Sequence, residues 1–151
     1  MDQYIAKAIP ANYGFVLGVG LSFGLLNFWQ TTRVGAARKA SGIKYPQTFV
    51  SDEQLQSSPE ARKFACANRA HLNTLEQAPM LTYALLVAGL AAPRVASAFG
   101  LISLAGRVVY TLGYLSGDPK LRLRGSFHYI GLFGLYITSF VAVYQIISQG
   151  I

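Results

Sequence analysis

The sequence predicts an all-α fold, an integral membrane four-helix bundle of left-handed up-down topology, and three observations carry that reading. Only 13% of the 151 residues are charged while 52% are hydrophobic, against about a quarter charged in an ordinary globular domain. The apolar residues collect in four stretches of roughly membrane-spanning length. The basic residues collect in two of the connections between them.

The first stretch, residues 8–32, holds no ionisable side chain other than Tyr13. At roughly 1.5 Å per residue it exceeds a hydrocarbon thickness of about 30 Å, which predicts a helix over about 10–34. Its head, "MDQYIAKAIP", has little positive charge and no small-residue cleavage pattern closes it, so it is expected to remain in the mature chain rather than leave as a signal. Gly14 with Gly18, and Gly20 with Gly24, have the spacing that lets membrane helices approach closely. They lie on two faces, so two sides of this helix are expected to meet neighbours. A phosphate-loop reading of "GVGLSFG" fails because no strand precedes it.

Residues 35–62 form the one polar interlude, with Pro46 and Pro59 as breakers. They read as a surface loop with a short helix after Ser58, Pro59 taking its first position. Residues 77–93 are free of charge and become long enough to span only if the helix starts near Phe64, giving a second helix over about 64–92. Residues 95–117 are interrupted by Arg107 alone, a third helix over about 94–116. Residues 125–151 carry nothing chargeable except His128, Tyr129, Tyr136 and Tyr144, a fourth over about 124–148. The short links "AAPRVA" and "SGDPKLRLRG" require antiparallel neighbours. The whole chain, 1–151, reads as one domain.

The net charge is +7, and its placement is directional. Arg33, Arg38, Lys39, Lys44, Arg62 and Lys63 lie between helices one and two, and Lys120, Arg122 and Arg124 between three and four. The other side has Lys7 and Arg94. The positive-inside rule then puts both basic loops in the cytosol. Charges that flank apolar spans form no continuous basic face, which argues against nucleic acid as a partner. The lone cysteine, Cys66, excludes an internal disulfide and reads as a small helix-packing residue. Two histidines and no acidic cluster argue against a metal site.

Intramembrane charge is costly and points to function. Arg69, Asn73 and Glu76 fall at i, i+4 and i+7 on helix two, with His71 to one side and Gln77 adjoining. Arg107, Tyr110 and Tyr114 fall at i, i+3 and i+7 on helix three. The topology brings both stripes to the cytosolic face, where Arg38 and Lys39 come just after helix one. Guanidinium forks suit carboxylates and a glutamate suits an ammonium. A short peptide with two carboxylates and one amine matches that inventory. The bland alternative is that Arg69 and Glu76 only neutralise each other, or that the arginines snorkel into headgroups.

At these residues, "NRAHLNTLE" before an apolar run, "GRVVYTLGYLSGDPKLRLRG" and "ARKASGIKYP", the chain resembles the membrane-associated proteins of eicosanoid and glutathione metabolism, most closely the type-three microsomal glutathione transferases. The resemblance implies a homotrimer with glutathione sites between protomers. It implies glutathione contacts from Arg38, Arg69, His71, Asn73, Glu76, Tyr110 and Tyr114, and Arg107, on the same stripe as the tyrosines, is expected to join them. It also implies an arginine at the start of helix four that holds the sulfur as thiolate. Arg124 fits that place, directly before Gly125, with Arg122 as the alternative.

The implied activity is a glutathione transferase and peroxidase, with glutathione as co-substrate, no metal, and hydrophobic electrophiles or lipid hydroperoxides arriving from membrane lipid. The implied membrane is the endoplasmic reticulum, with the mitochondrial outer membrane as alternative. Gln77 and Lys39 depart from the tyrosine and second arginine of leukotriene C4 synthases, which makes that conjugation the runner-up. A non-catalytic lipid-binding scaffold on the same fold is a rival with no use for buried guanidinium groups. A channel or transporter subunit would need polar residues through the full membrane depth, whereas helix two after Gln77 and most of helix four are apolar.

Overall fold

The computed structural model describes residues 9–150, so Lys7 and the head of the chain lie outside the described residues. The described residues are all-helical: α1 (Tyr13–Ser41), α2 (Asp52–Ser57), α3 (Pro59–Ala91), α4 (Pro93–Leu115), a 3-10 helix (Pro119–Gly125) and α5 (His128–Ser148).

Each boundary has a local cause. Asn12, left-handed at φ 69°, turns the chain into α1, and Gly42 at φ 68° ends it, since glycine takes that conformation without a Cβ penalty. Helix α2 is set by a reciprocal cap: Ser51 Oγ accepts from Gln54 N at 3.2 Å, and Gln54 Oε1 accepts from Ser51 N at 3.0 Å. Ser58 Oγ then accepts from Ala61 N at 3.1 Å to start α3, with Pro59 in the first position. Ala92 alone separates α3 from α4, which also opens on a proline. Asp118 Oδ1 caps the 3-10 helix through Lys120 N at 2.9 Å.

Several sequence expectations shift. The first helix runs on to Ser41, so Arg38 and Lys39 lie in its last turn rather than after it. The loop helix precedes Ser58, because the Ser51–Gln54 cap nucleates it there, and the residues after Pro59 are continuous with α3. The fourth helix starts at His128 because Pro119–Gly125 is wound as 3-10.

Helix α1 packs on α3 and α4, α3 on α4 and α5, and α4 on α5. The core between them joins Val16, Val19, Leu81, Leu85, Leu132 and Leu135. Gln30 stitches three helices deeper in, its Nε2 donating to Thr74 Oγ1 at 2.9 Å and Thr111 Oγ1 at 2.7 Å. The glycine pairs of α1 behave differently from expectation within the chain. A Cβ at Gly14, Gly18 or Gly24 would meet no atom within 4 Å, and at Gly20 only Leu85 at 3.9 Å. Close helix contact inside the chain is made instead at glycines of α3, α4 and α5, among them Gly89, Gly106 and Gly131.

Helices α4 and α5 are long and apolar enough to cross a membrane, with mean hydropathy of 1.5 and 1.8. Asn27 and Gln30 dilute the apolar run of α1, and the Arg69–Gln77 stretch that of α3. The outward faces are apolar all the same. Leu21, Leu25 and Phe28 on α1 are exposed, as are Ile130, Phe133, Ile137, Phe140 and Tyr144 on α5. Stripes of that extent suit hydrocarbon as solvent rather than water.

Candidate functional site

The helical spacing on α3 does what the sequence predicts. Arg69 Nη1 donates to Glu76 Oε1 at 2.8 Å and Asn73 Nδ2 donates to Glu76 Oε2 at 3.4 Å. Arg69 and Glu76 are each 52% exposed, so the pair lines a surface rather than filling a core. The facing stripe on α4 meets it at Arg107, which is buried and whose Nη1 donates to Asn73 Oδ1 at 2.7 Å, with Nη2 donating to Gln77 Oε1.

One turn on, Tyr110 packs edge-on against Tyr114, ring centroids 5.2 Å apart, and against His128 at 5.6 Å. Tyr114 is buried, and its hydroxyl accepts a hydrogen bond from Arg122 Nη1 at 2.8 Å. Of the two arginines, Arg122 is the one that makes this contact. Arg122 lines a cleft of about 660 Å³ together with Arg62, Cys66, Arg69, Tyr114 and Asp118. Arg124 is exposed and makes no side-chain hydrogen bond among the described residues.

Glycines hold the Arg122 segment against α4. A Cβ at Gly113 would strike the Leu121 carbonyl and lie 2.9 Å from Arg122 N. A Cβ at Gly125 would strike Tyr110 N and lie 2.6 Å from Tyr110 Cα. These close approaches set the depth of Arg122.

Two of the sequence-predicted residues sit apart. Arg38 donates to the Gln47 carbonyl at 2.7 Å and its guanidinium packs over the rings of Tyr45 and Phe64 at 4.3 and 4.4 Å. It does not reach the cleft of its own chain. His71 is half-buried, with Nδ1 unpaired, and lies outside the Arg69–Asn73–Glu76 hydrogen bonds. Cys66, read as a packing residue, is buried but lines the cleft one turn before Arg69. Sequence reasoning also missed Arg62 and Asp118. Their placement depends on how the 116–119 turn folds back over α3, which no helical period encodes.

Residues 16–144 match the sequence model of the MAPEG family. That match takes in all but the first three residues of α1, most of α5 and every residue of the cleft. The chain belongs to the MAPEG family. Family membership and the two membrane-capable helices identify an integral membrane protein. MAPEG proteins use glutathione in transferase, peroxidase or eicosanoid-forming reactions with hydrophobic substrates. In this MAPEG chain the cleft is rich in guanidinium groups, and Asp118 is its one carboxylate lining residue. Donors of that kind suit a ligand with more than one carboxylate.

Proposed function

We propose that the protein is a membrane glutathione transferase and peroxidase of the type-three microsomal kind, with Arg122 rather than Arg124 holding the glutathione sulfur. The single observation that carries this is the Arg122 guanidinium oriented by Tyr114 at 2.8 Å inside the cleft that Arg69 also lines. A free thiol with pKa of about 8.5 is only a few per cent ionised at neutral pH, and the thiolate is the nucleophile. A fixed guanidinium beside the sulfur, in a partly desolvated cleft, favours the charged form.

The thiolate then attacks an electrophilic carbon to form a thioether, either displacing a leaving group that departs with its bonding pair or adding to a conjugated double bond whose displaced electron pair is protonated from water. With a hydroperoxide, two glutathiones give the disulfide, the peroxide leaving as alcohol and water. Arg69, Asn73 and Glu76 hold the peptide ends, and Tyr110 and Tyr114 wall it. The 52% exposure of Arg69 and Glu76 suits a site completed by a neighbouring copy in a homotrimer of four-helix, up-down protomers. In that assembly Arg38 and His71 of one chain serve the cleft of another, and the unpacked Gly14 and Gly18 face a neighbour. Both basic loops are cytosolic in this reading, and the membrane is that of the endoplasmic reticulum.

Ultraviolet difference absorbance of detergent-solubilised protein titrated with glutathione tests it. A saturable thiolate band that Arg122→Ala abolishes and Arg124→Ala retains supports the reading. No band and no glutathione binding in wild type sinks it.

A further inference from the structure

A second cavity, of about 270 Å³, opens between α1, α3 and α4. Gly20, Phe23, Asn27, Gln77, Leu81 and Arg107 bound it, and it shares no lining residue with the cleft of Arg69 and Arg122. Arg107 is only 1% exposed, yet its two hydrogen-bond partners, Asn73 and Gln77, are neutral amides. Among the described residues the only ion pair is Arg69 with Glu76, so Arg107 is there a buried cation with no carboxylate in direct contact, Glu76 reaching it only through Asn73. A guanidinium has five N–H donors, and a buried charge requires an anionic partner to offset its desolvation.

Thr74 and Thr82 also line the cavity, and the rest of the wall is apolar; Leu21, Leu25, Met80 and Tyr83, exposed on α1 and α3, are large and mostly apolar. An occupant therefore enters from hydrocarbon with a small acidic head and an apolar stem. A phospholipid head brings glycerol and a second chain, which this volume does not hold. A carboxylate presents the two-oxygen edge that matches a guanidinium fork, and it crosses hydrocarbon readily as the neutral acid.

We propose that this cavity binds the carboxylate head of a single-chain fatty acid from the membrane, with Arg107 as counter-ion and Phe23 and Leu81 beside its first methylenes. The occupant is a modulator and not the reacting lipid, since Arg122 lines the other cleft. Arg107 also holds Asn73 at 2.7 Å, so a carboxylate that re-engages this guanidinium changes how Asn73 is held. That consequence for glutathione affinity rests on the proposed function; the site itself does not.

The test is equilibrium binding of radiolabelled palmitate to delipidated wild-type protein in neutral detergent without glutathione, beside methyl palmitate. Gly24→Phe is the decisive variant. Gly24 lines the cavity and a Cβ there meets nothing within 4 Å, so the larger side chain starts without a clash and is expected to take up the space. Arg107→Met removes the charge. One palmitate per chain, at least tenfold weaker ester binding, and loss of palmitate in Gly24→Phe at an unchanged unfolding temperature are expected. Equal binding of acid and ester, or wild-type binding by Gly24→Phe, overturns the proposal. Saturable palmitate binding in a preparation that shows no thiolate band would remove the glutathione reading and leave this site standing.

Discussion

Gly113 and Arg122 are in backbone contact: a Cβ on Gly113 would lie 2.9 Å from the Arg122 amide nitrogen and strike the preceding carbonyl. The arginine nearest the proposed sulfur position is thus placed by the absence of a side chain on α4. Gly113→Ala must push the 3-10 segment outward, and neither side of the contact is a flexible chain end. Overpacking of this kind costs about 1–3 kcal/mol, and a displacement near 1 Å can cost a reaction about a hundredfold. The expected outcome is a folded protein with a lower unfolding temperature and a thiolate band reduced at least tenfold. A variant with an unaltered band would show that Arg122 does not need this seat.

Arg69→Met separates two readings of the α3 stripe. If Arg69 and Glu76 serve only to neutralise each other, losing the arginine removes the function of the pair and nothing else. Exposed pairs contribute little to folding, and both partners are half exposed. The expected result is an unfolding temperature close to wild type with a glutathione KM raised about tenfold or more, read from initial rates. An unchanged KM would return the pair to a purely structural role.

Much of this site was legible because a helix turns spacing into geometry. Arg69, Asn73 and Glu76 at i, i+4 and i+7 do meet through hydrogen bonds, and Arg107 does reach Asn73 from α4. The illegible part is the non-helical turn. Arg124 stands at a helix start only if the fourth helix begins there, whereas Pro119–Gly125 is 3-10 with about three residues per turn. That winding turns Arg122 toward Tyr114 and leaves Arg124 exposed. Arg38 was illegible for another reason. Its partners Gln47 and Tyr45 come from the loop it precedes, and loop conformation carries no period.

Gln30, a buried polar residue in the apolar run of α1, joins three helices through Thr74 and Thr111. Both threonine hydroxyls still donate to their own helix carbonyls, at 3.2 Å for Thr74 and 2.8 Å for Thr111. Gln30→Leu therefore leaves no buried donor stranded. The expected cost is about 0.5–1.5 kcal/mol, below the penalty for an unsatisfied group, measured by reversible unfolding in mixed detergent. A loss several times larger would mean that the glutamine sets helix register as well as bonding.

Tyr114→Phe isolates one atom of the site. The ring remains, and with it the packing of the Arg122 guanidinium over it at 5.5 Å and the edge contact with Tyr110 at 5.2 Å. The change removes only the hydroxyl that accepts from Arg122 Nη1 at 2.8 Å. A hydrogen bond to a charged group is worth about 1.5–3 kcal/mol, and part of that is recovered if the guanidinium finds water. The loss in kcat/KM should therefore be about tenfold, with the thiolate band weakened and the chain folded as before. Tyr110→Phe is the control, because Arg122 donates to Tyr114 and Tyr110 contributes a ring to the stack; its loss should be smaller. Equal losses in the two variants would mean that Tyr114 acts as a wall for the peptide, and that the orientation of Arg122 has to be supplied by the Gly113 contact alone.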